Sequence, residues 1–237
     1  MILNLFLLLC TLFTQAQIIE IKNINDALHY VRPEALFLID LDNTVIEPAN
    51  AAQIGSEQWF YSTLQLMQQE MPADVAKNKI ITLFSTLMLQ LELKLVEDTT
   101  ADVLNYICQH CTTLGFTARA LIVAPSTHKW LSHYSISFNA PVQDQGFMIN
   151  EYPVLLYNKV IYCNGHKTGT TLFTILDAFG ICPTFIVFID DKEHYLEAIE
   201  QECNARNIEF IGLRYSYLDE KVANYLKQSY LNQPEIE

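Results

Sequence analysis

The stretch that decides how this chain is read is "FLIDLDNTVIEP", residues 37–48. An apolar run reaches Ile39 and then gives way to two carboxylates one residue apart, Asp40 and Asp42, followed at once by Asn43 and Thr44. A short, unbroken apolar run is the pattern of a strand buried on both faces, as in a parallel sheet. Two acids at the end of such a strand repel each other unless something positive stands near them.

Working outward, strand-like apolar runs alternate with helix-like segments, which predicts an α/β fold with a parallel sheet. Residues 35–39 form the first buried strand. The spacing of Trp59, Phe60, Leu64 and Met67 predicts a helix over 56–69. Pro72 interrupts, and Val75, Ile80, Leu83, Phe84 and Leu87 continue as a second helix. "QLELKLVE", 90–97, alternates with period two and reads either as extended chain or as a helix end. Thr99 or Thr100 caps a short helix ending near His110. A second strand over 112–116 leads into "TARA", a helix covers 126–133, and "SISF" reads as a third strand. "FMINEYPVLLYNKVIYCNG" reads as a hairpin turning at Asn158-Lys159. A helix over 168–176 and strands over 184–191 and 208–213 complete the pattern, and the tail beyond Asn232 is expected to be loose. Asp40, Asp42, Thr117, Asp190 and Asp191 all fall where apolar strands run out. In open parallel sheets that end forms the binding crevice.

The 237 residues suffice for one domain with a sizeable core plus a smaller insertion. An apolar content of 51% and an aromatic content of 11% fit a globular chain. The formal net charge of -13 argues against nucleic acid or an anionic membrane surface as the main partner. It leaves room for a small phosphorylated molecule, whose charge a metal and one lysine can meet locally. "MILNLFLLLCTLFTQA", 1–16, reads as an export signal: its apolar run is short for a bilayer span, and Thr14 and Ala16 suit a cleavage site. The basic start usual in such signals is missing, so a retained N-terminal helix is the alternative. Cys10 follows three leucines and is not expected to carry lipid. With no later segment apolar enough to cross a membrane, the expected product is exported, periplasmic or secreted, without a stable membrane anchor. Signal removal leaves five of six cysteines, an odd number and not a closed disulfide framework. Cys108-Gln-His-Cys111 has redox-like or half-zinc-site spacing, but no second ligand pair accompanies it, and buried thiols are the plainer reading.

Carboxylates gathered from two strands at one sheet edge call for a hard cation, and Mg2+ suits an oxygen-rich pocket. "DLDNT" resembles the DxDxT signature of the haloacid dehalogenase (HAD) superfamily of phosphohydrolases. Thr117 in "LGFTAR", Lys167 in "NGHKTG" and Asp190-Asp191 in "FIVFIDD" match its other three motifs in order. The resemblance spans about 36–213 and implies a Rossmann-like core over 17–47 and 98–232, with a mostly helical cap inserted over 48–97. It implies roles residue by residue. Asp40 resembles the nucleophile and Asp42 the general acid/base. Thr117 and Lys167 would bind and stabilise the phosphoryl group, with Asn43 and Arg119 as further substrate contacts. Asp40, Asp190 and the backbone carbonyl of Asp42 would hold Mg2+, with Asp191 either the ligand in place of Asp190 or the holder of a metal-bound water. An aspartate at the second motif position favours phosphoester hydrolysis over dehalogenation.

Taken singly, each residue has a plainer reading: Asp42-Asn43 as a turn, Thr117 as a strand-end hydroxyl, Lys167 as a surface lysine, Asp190-Asp191 as a helix cap, Arg119 in a surface ion pair. Four motifs in order on the predicted elements outweigh those readings. "FTARA", the tyrosine-rich hairpin, "FIDD" before a helix and "GLRYSYLD" look like a bacterial group of secreted HAD-like proteins classed only as a domain of unknown function. The expected activity is Mg2+-dependent hydrolysis of a phosphomonoester through an aspartyl-phosphate. The rivals are a HAD-fold binding or effector protein with little turnover, and phosphoryl transfer to an acceptor other than water.

Overall fold

The computed structural model describes residues 17–231. The predicted export signal and the tail beyond Asn232 lie outside the described residues. Along the chain run β1 (Gln17–Ile21), β2 (Ala35–Ile39), β3 (Ile46–Pro48), α1 (Glu57–Glu70), α2 (Ala73–Met88), β4 (Leu93–Leu95), α3 (Thr100–His110), β5 (Thr112–Thr117) and α4 (Ala124–His133). There follow β6 (Gln145–Ile149), β7 (Tyr152–Tyr157), β8 (Val160–Tyr162), α5 (Gly169–Ala178), β9 (Phe185–Asp190), α6 (Glu193–Arg206), β10 (Glu209–Tyr215) and α7 (Asp219–Leu231).

An eight-stranded sheet in the order β1-β10-β9-β2-β5-β8-β7-β6 carries the fold, an α/β architecture with a mainly parallel sheet. Pairings from β1 across to β8 are parallel, and β8, β7 and β6 close the far edge antiparallel. Side chains alternate across a strand. Ala35, Phe37 and Ile39 of β2 therefore enter one core with Val187 and Ile189 of β9, packed under α3 and α4. Leu36 and Leu38 enter a second core with Ile186 and Phe188, packed under α5 and α6. Both faces are covered, which is why these strands read as unbroken apolar runs.

The run at 90–97 resolves as extended chain. Its Leu93–Leu95 segment pairs antiparallel with β3, Glu47 opposite Lys94, and α1 and α2 are inserted between these two strands. Ser56 starts α1 by accepting from the Trp59 N–H at 3.2 Å.

Three departures from the sequence reading have local causes. Residues 135–138, "SISF", are not a strand: β5 is paired to β2 on one edge and, over Gly115–Thr117, to β8 on the other, and beside the remaining stretch the Asn139 and Ala140 N–H groups both converge on the Thr113 carbonyl, at 3.3 and 3.0 Å, so no ladder forms. Ile136 and Phe138 are still buried, and a Cβ at Gly115 would stand 2.9 Å from the Phe138 ring. The predicted hairpin is a three-strand meander with two turns, Asn150-Glu151 and Asn158-Lys159, all four residues at positive φ. β1 was not foreseen; it is an edge strand paired only to β10, with one well-buried residue, Ile21. No helix among the described residues is long and apolar enough to cross a membrane.

Candidate active site

β2 and β9 are adjacent parallel strands, so their carboxyl ends emerge side by side. The Asp40 N–H donates to the Ile189 carbonyl at 3.0 Å, which keeps Asp40 in register with the sheet one residue past β2. Asp190 is the last residue of β9. Lys167 stands one residue before Thr168, the cap of α5, and its ammonium donates to Asp40 Oδ1 and, at 2.5 Å, to Asp190 Oδ2. The rings of Tyr195, Phe188 and Phe116 surround that ammonium at 4.7, 5.1 and 5.6 Å. Aromatic faces attract a cation and exclude water around it.

Electrostatics follow from the crowding. Asp40, Asp190 and Asp191 bring carboxylate oxygens within 4.8 Å of one another. Like charges at that distance cost about 3 kcal/mol per pair at an effective dielectric near 20. Burial raises the Asp40 carboxyl well above its ordinary range; Lys167 opposes this, and Asp190, Asp191 and Asp42 add to it. Asp190 is pushed up to about 6, mainly by burial, against the pull of Lys167. Burial alone would drive Lys167 toward its neutral form, but Asp190 and Asp40 more than offset it and hold it protonated. One ammonium cannot neutralise both neighbours, so the lysine is held charged while Asp40 and Asp190 still resist ionising.

The remaining motif residues surround this group. Asp42 is held by Arg119 through both oxygens, Nε to Oδ2 at 2.9 Å and an Nη to Oδ1 at 2.8 Å. Arg119, expected to face substrate, is 4% exposed, with its other Nη on Thr127 Oγ1 at 2.8 Å. Thr117 ends β5, and its Oγ1 accepts from the Arg119 N–H at 3.2 Å. The segment 117–119 is fastened by three N–H groups opposite, Cys163 to Thr117 O, Gly165 to Ala118 O and Asn164 to Arg119 O, at 2.8–3.0 Å. Asn43, at φ +58°, points its amide to Asp191 at 3.3 Å and to Glu57 at 3.4 Å.

Glu57, Lys192 and Tyr195 were not singled out from the sequence. Lys192 joins Asp191 to Glu57 at 2.9 Å each, so the first residue of α1 reaches the end of β9. Glu57 is pushed up to about 7, by burial first and by Asp191 next, with Lys192 opposing. The signal for Lys192 was its place directly after Asp190-Asp191; nothing local marks Glu57 or Tyr195. Tyr152, at the start of β7, stacks on His166 beside Lys167, so the meander forms a wall of this region.

The oxygen donors fit a hard divalent cation. Five carboxylates, Asp40, Asp42, Glu57, Asp190 and Asp191, meet three cations, Lys167, Arg119 and Lys192, a formal excess of two negative charges when all five acids are ionised. A surface depression of about 630 Å³ between residues 51–53 and 217–225 contains none of these groups. Chemistry, not depth, marks the site.

Cys108 and Cys111 are free thiols: one approaches Thr113 Oγ1 and Ser137 O, the other donates to Arg32 O, all at 3.1 Å. Burial raises both, so neither is an activated thiolate.

Residues 17–235 match a family described as "Protein of unknown function (DUF2608)". A protein of Chlamydia pneumoniae named as a candidate outer membrane protein is 21% identical over 227 residues, 89% of this chain and 81% of its own length. One of Chlamydia muridarum with the same kind of name is 22% identical over 236 residues, 95% of this chain and 86% of its own. Among solved structures, a HAD-superfamily hydrolase of subfamily IA from Geobacter sulfurreducens aligns at TM-score 0.42 and 11% identity, covering 81% of this chain and 97% of its own. A haloacid dehalogenase-like family hydrolase from Streptococcus pneumoniae aligns at TM-score 0.45 and 12% identity, covering 80% and 97%.

Proposed function

The chain belongs to the family described as "Protein of unknown function (DUF2608)", and from that starting point we propose that it is an exported HAD-type phosphatase that hydrolyses a small phosphomonoester with Mg2+. The observation that carries this reading is Lys167 clamped between Asp40 and Asp190, with Asp191 alongside and Asp42 held two residues away by a buried arginine. A merely structural lysine needs one carboxylate, not a surplus of them.

Asp40, Asp190 and Asp191, with the Asp42 carbonyl, would hold Mg2+. Bound there, the ion supplies the positive charge that lets a phosphate dianion approach a carboxylate. Lys167 engages Asp40 Oδ1 and leaves the second Asp40 oxygen for phosphorus. Thr117 Oγ1 already accepts from Arg119 N–H, so its own O–H is left to donate to a phosphoryl oxygen. The Lys167 ammonium, held by two carboxylates and three rings, stabilises charge as it builds on the phosphoryl group without first having to reorganise. Asp42 protonates the leaving oxygen and then takes a proton from the water that frees phosphate from Asp40. Residues 48–97 act as a cap in this reading, which the contacts of Glu57 with Lys192 and Asn43 support. Export is supported by the apolar start of the sequence and by the names of the chlamydial relatives.

Hydrolysis of p-nitrophenyl phosphate with and without Mg2+ tests the reading. Mg2+-dependent release abolished by Asp40→Asn is the expected result. No turnover across pH and divalent metals favours a HAD-fold binding protein instead, and phosphate appearing on added alcohols marks a phosphotransferase.

A further inference from the structure

Arg119 is an expensive residue to bury. The residue is 4% exposed, and taking a charge out of water costs several kcal/mol unless its partners are well placed. Those partners form a fixed frame. Thr127, fully buried, accepts from one Nη at 2.8 Å and donates to the Val123 carbonyl at 2.8 Å. The Arg119 N–H is fixed on Thr117 Oγ1 and its carbonyl receives the Asn164 N–H at 3.0 Å. Both ends of the side chain are therefore pinned, and the remaining edge of the fork takes both oxygens of Asp42. Asp42 itself lies past the end of β2, before a residue at positive φ, and its side chain keeps 27% of its surface open. Left alone, a short side chain there would sample several χ1 wells. The planar fork admits one.

We propose that Arg119 is the positioning residue for Asp42 in the second half-reaction, the attack of water on phosphorylated Asp40, and that it does not contact substrate. The inference rests on the phosphatase reading above. With both oxygens accepting from the guanidinium, the lone pairs of Asp42 that stay free lie at its open edge, where they accept a hydrogen bond from water. The water oxygen bonds to phosphorus and its proton passes to Asp42. The bond from phosphorus to the Asp40 oxygen breaks, its electron pair returns to Asp40, and inorganic phosphate leaves. Aspartate held at random orientations performs this step poorly, because water must be in line with the breaking bond.

The experiment is rapid quench with p-nitrophenyl phosphate and Mg2+, following nitrophenolate and acid-stable phosphoenzyme together. An aryl leaving group needs little protonation, so the first half-reaction should survive loss of orientation. Arg119→Lys, which keeps the charge but not the fork, is expected to lower kcat about tenfold to hundredfold, lower KM with it so that kcat/KM changes less than about twofold, and show a nitrophenolate burst with accumulated phosphoenzyme. Arg119→Lys combined with Asp42→Asn is expected to be no slower than Asp42→Asn alone, since both act through one group. Thr127→Val, which leaves Arg119 and Asp42 in place, should give the same signature more weakly, and it serves if the lysine variant does not fold. A higher KM in Arg119→Lys, slowing without a burst, or losses that multiply in the double variant would each overturn the assignment. A wild-type protein that forms neither phosphoenzyme nor product would overturn the phosphatase reading and this inference with it, an outcome distinct from the other three.

Discussion

Lys167 donates to Asp190 Oδ2 at 2.5 Å from the opposite side of a seam that Asp40 also borders, so one ammonium serves the ends of two neighbouring strands. Replacing Lys167 by Met removes the ammonium that pairs with both of those buried acids. Hydrolysis should fall about a hundredfold or more, and unfolding free energy by roughly 3 kcal/mol or more. Saturating Mg2+ should restore part of the stability and little of the rate. Denaturant titrations with and without Mg2+ measure the first, and initial rates the second.

Asp40→Asn separates stability from catalysis. Asp40 resists ionising because it is buried among other acids. A neutral amide relieves that repulsion, so the metal-free variant should melt higher than the wild type, by on the order of 1 kcal/mol. It should lose the response to Mg2+ along with turnover. A lower melting temperature in EDTA would contradict the account of crowding given above.

The pH dependence of stability has a definite sign. Asp190 is raised from 3.8 to about 6 and Glu57 from 4.5 to about 7. Between the unfolded and folded values the native protein holds protons that the unfolded chain has released. The contribution of these groups is therefore full at low pH and falls as pH rises through about 4 to 7, for Asp190 by on the order of 2–3 kcal/mol. Mg2+ competes with those protons, so its stabilising effect should grow over the same window. Thermal unfolding from pH 4 to 8, in EDTA and in Mg2+, checks both signs, with Asp190→Asn as the comparison that isolates the site.

Lys192 links α1 to β9 through Glu57 and Asp191, with side chains 23–29% exposed at the Glu57–Lys192 pair. A partly exposed pair contributes at most about 1 kcal/mol. Glu57→Gln should accordingly leave global stability almost unchanged while amide exchange in α1 and α2 speeds up. Exchange in β2 and β9 should not move. Uniform acceleration across all four elements would mean that the pair holds the whole domain and not the insertion alone.

Glu97 makes a contrast, because it is a buried acid with no catalytic duty. It accepts from the Ile24 N–H at 2.6 Å, from the Asn23 amide at 2.9 Å and from the Tyr215 hydroxyl. It thus ties the segment after β1, the start of α3 and the end of β10. Glu97→Ala leaves those donors unsatisfied and should cost about 2–4 kcal/mol, with turnover per folded molecule unchanged.

The central strands, three strand-end motifs and the lysine before α5 were legible because each is local. Phe37 to Ile39 and Phe185 to Ile189 are buried on both faces, and a polar residue follows directly. What was not legible depends on contacts across the chain. "SISF" carries strand-like alternation, yet the chain just after it bonds to β5 at Thr113 without forming a ladder. Arg119 looks like any arginine after a strand; only folding shows that its partner is Asp42, 77 residues earlier. Glu57 sits at an ordinary helix start, and its place near Asp191 depends on how the insertion docks. Periodicity reports which face a residue takes, not which distant residue meets it.

The pairing of β3 with β4 has a consequence for descent. An excursion that leaves and re-enters through adjacent antiparallel strands makes no demand on the ladder of the main sheet, whatever its length or content. On the proposed phosphatase reading, lineages could exchange the helices between residues 48 and 93 wholesale, and so acquire new substrate preferences, while the carboxylates stayed where the β-strand termini put them.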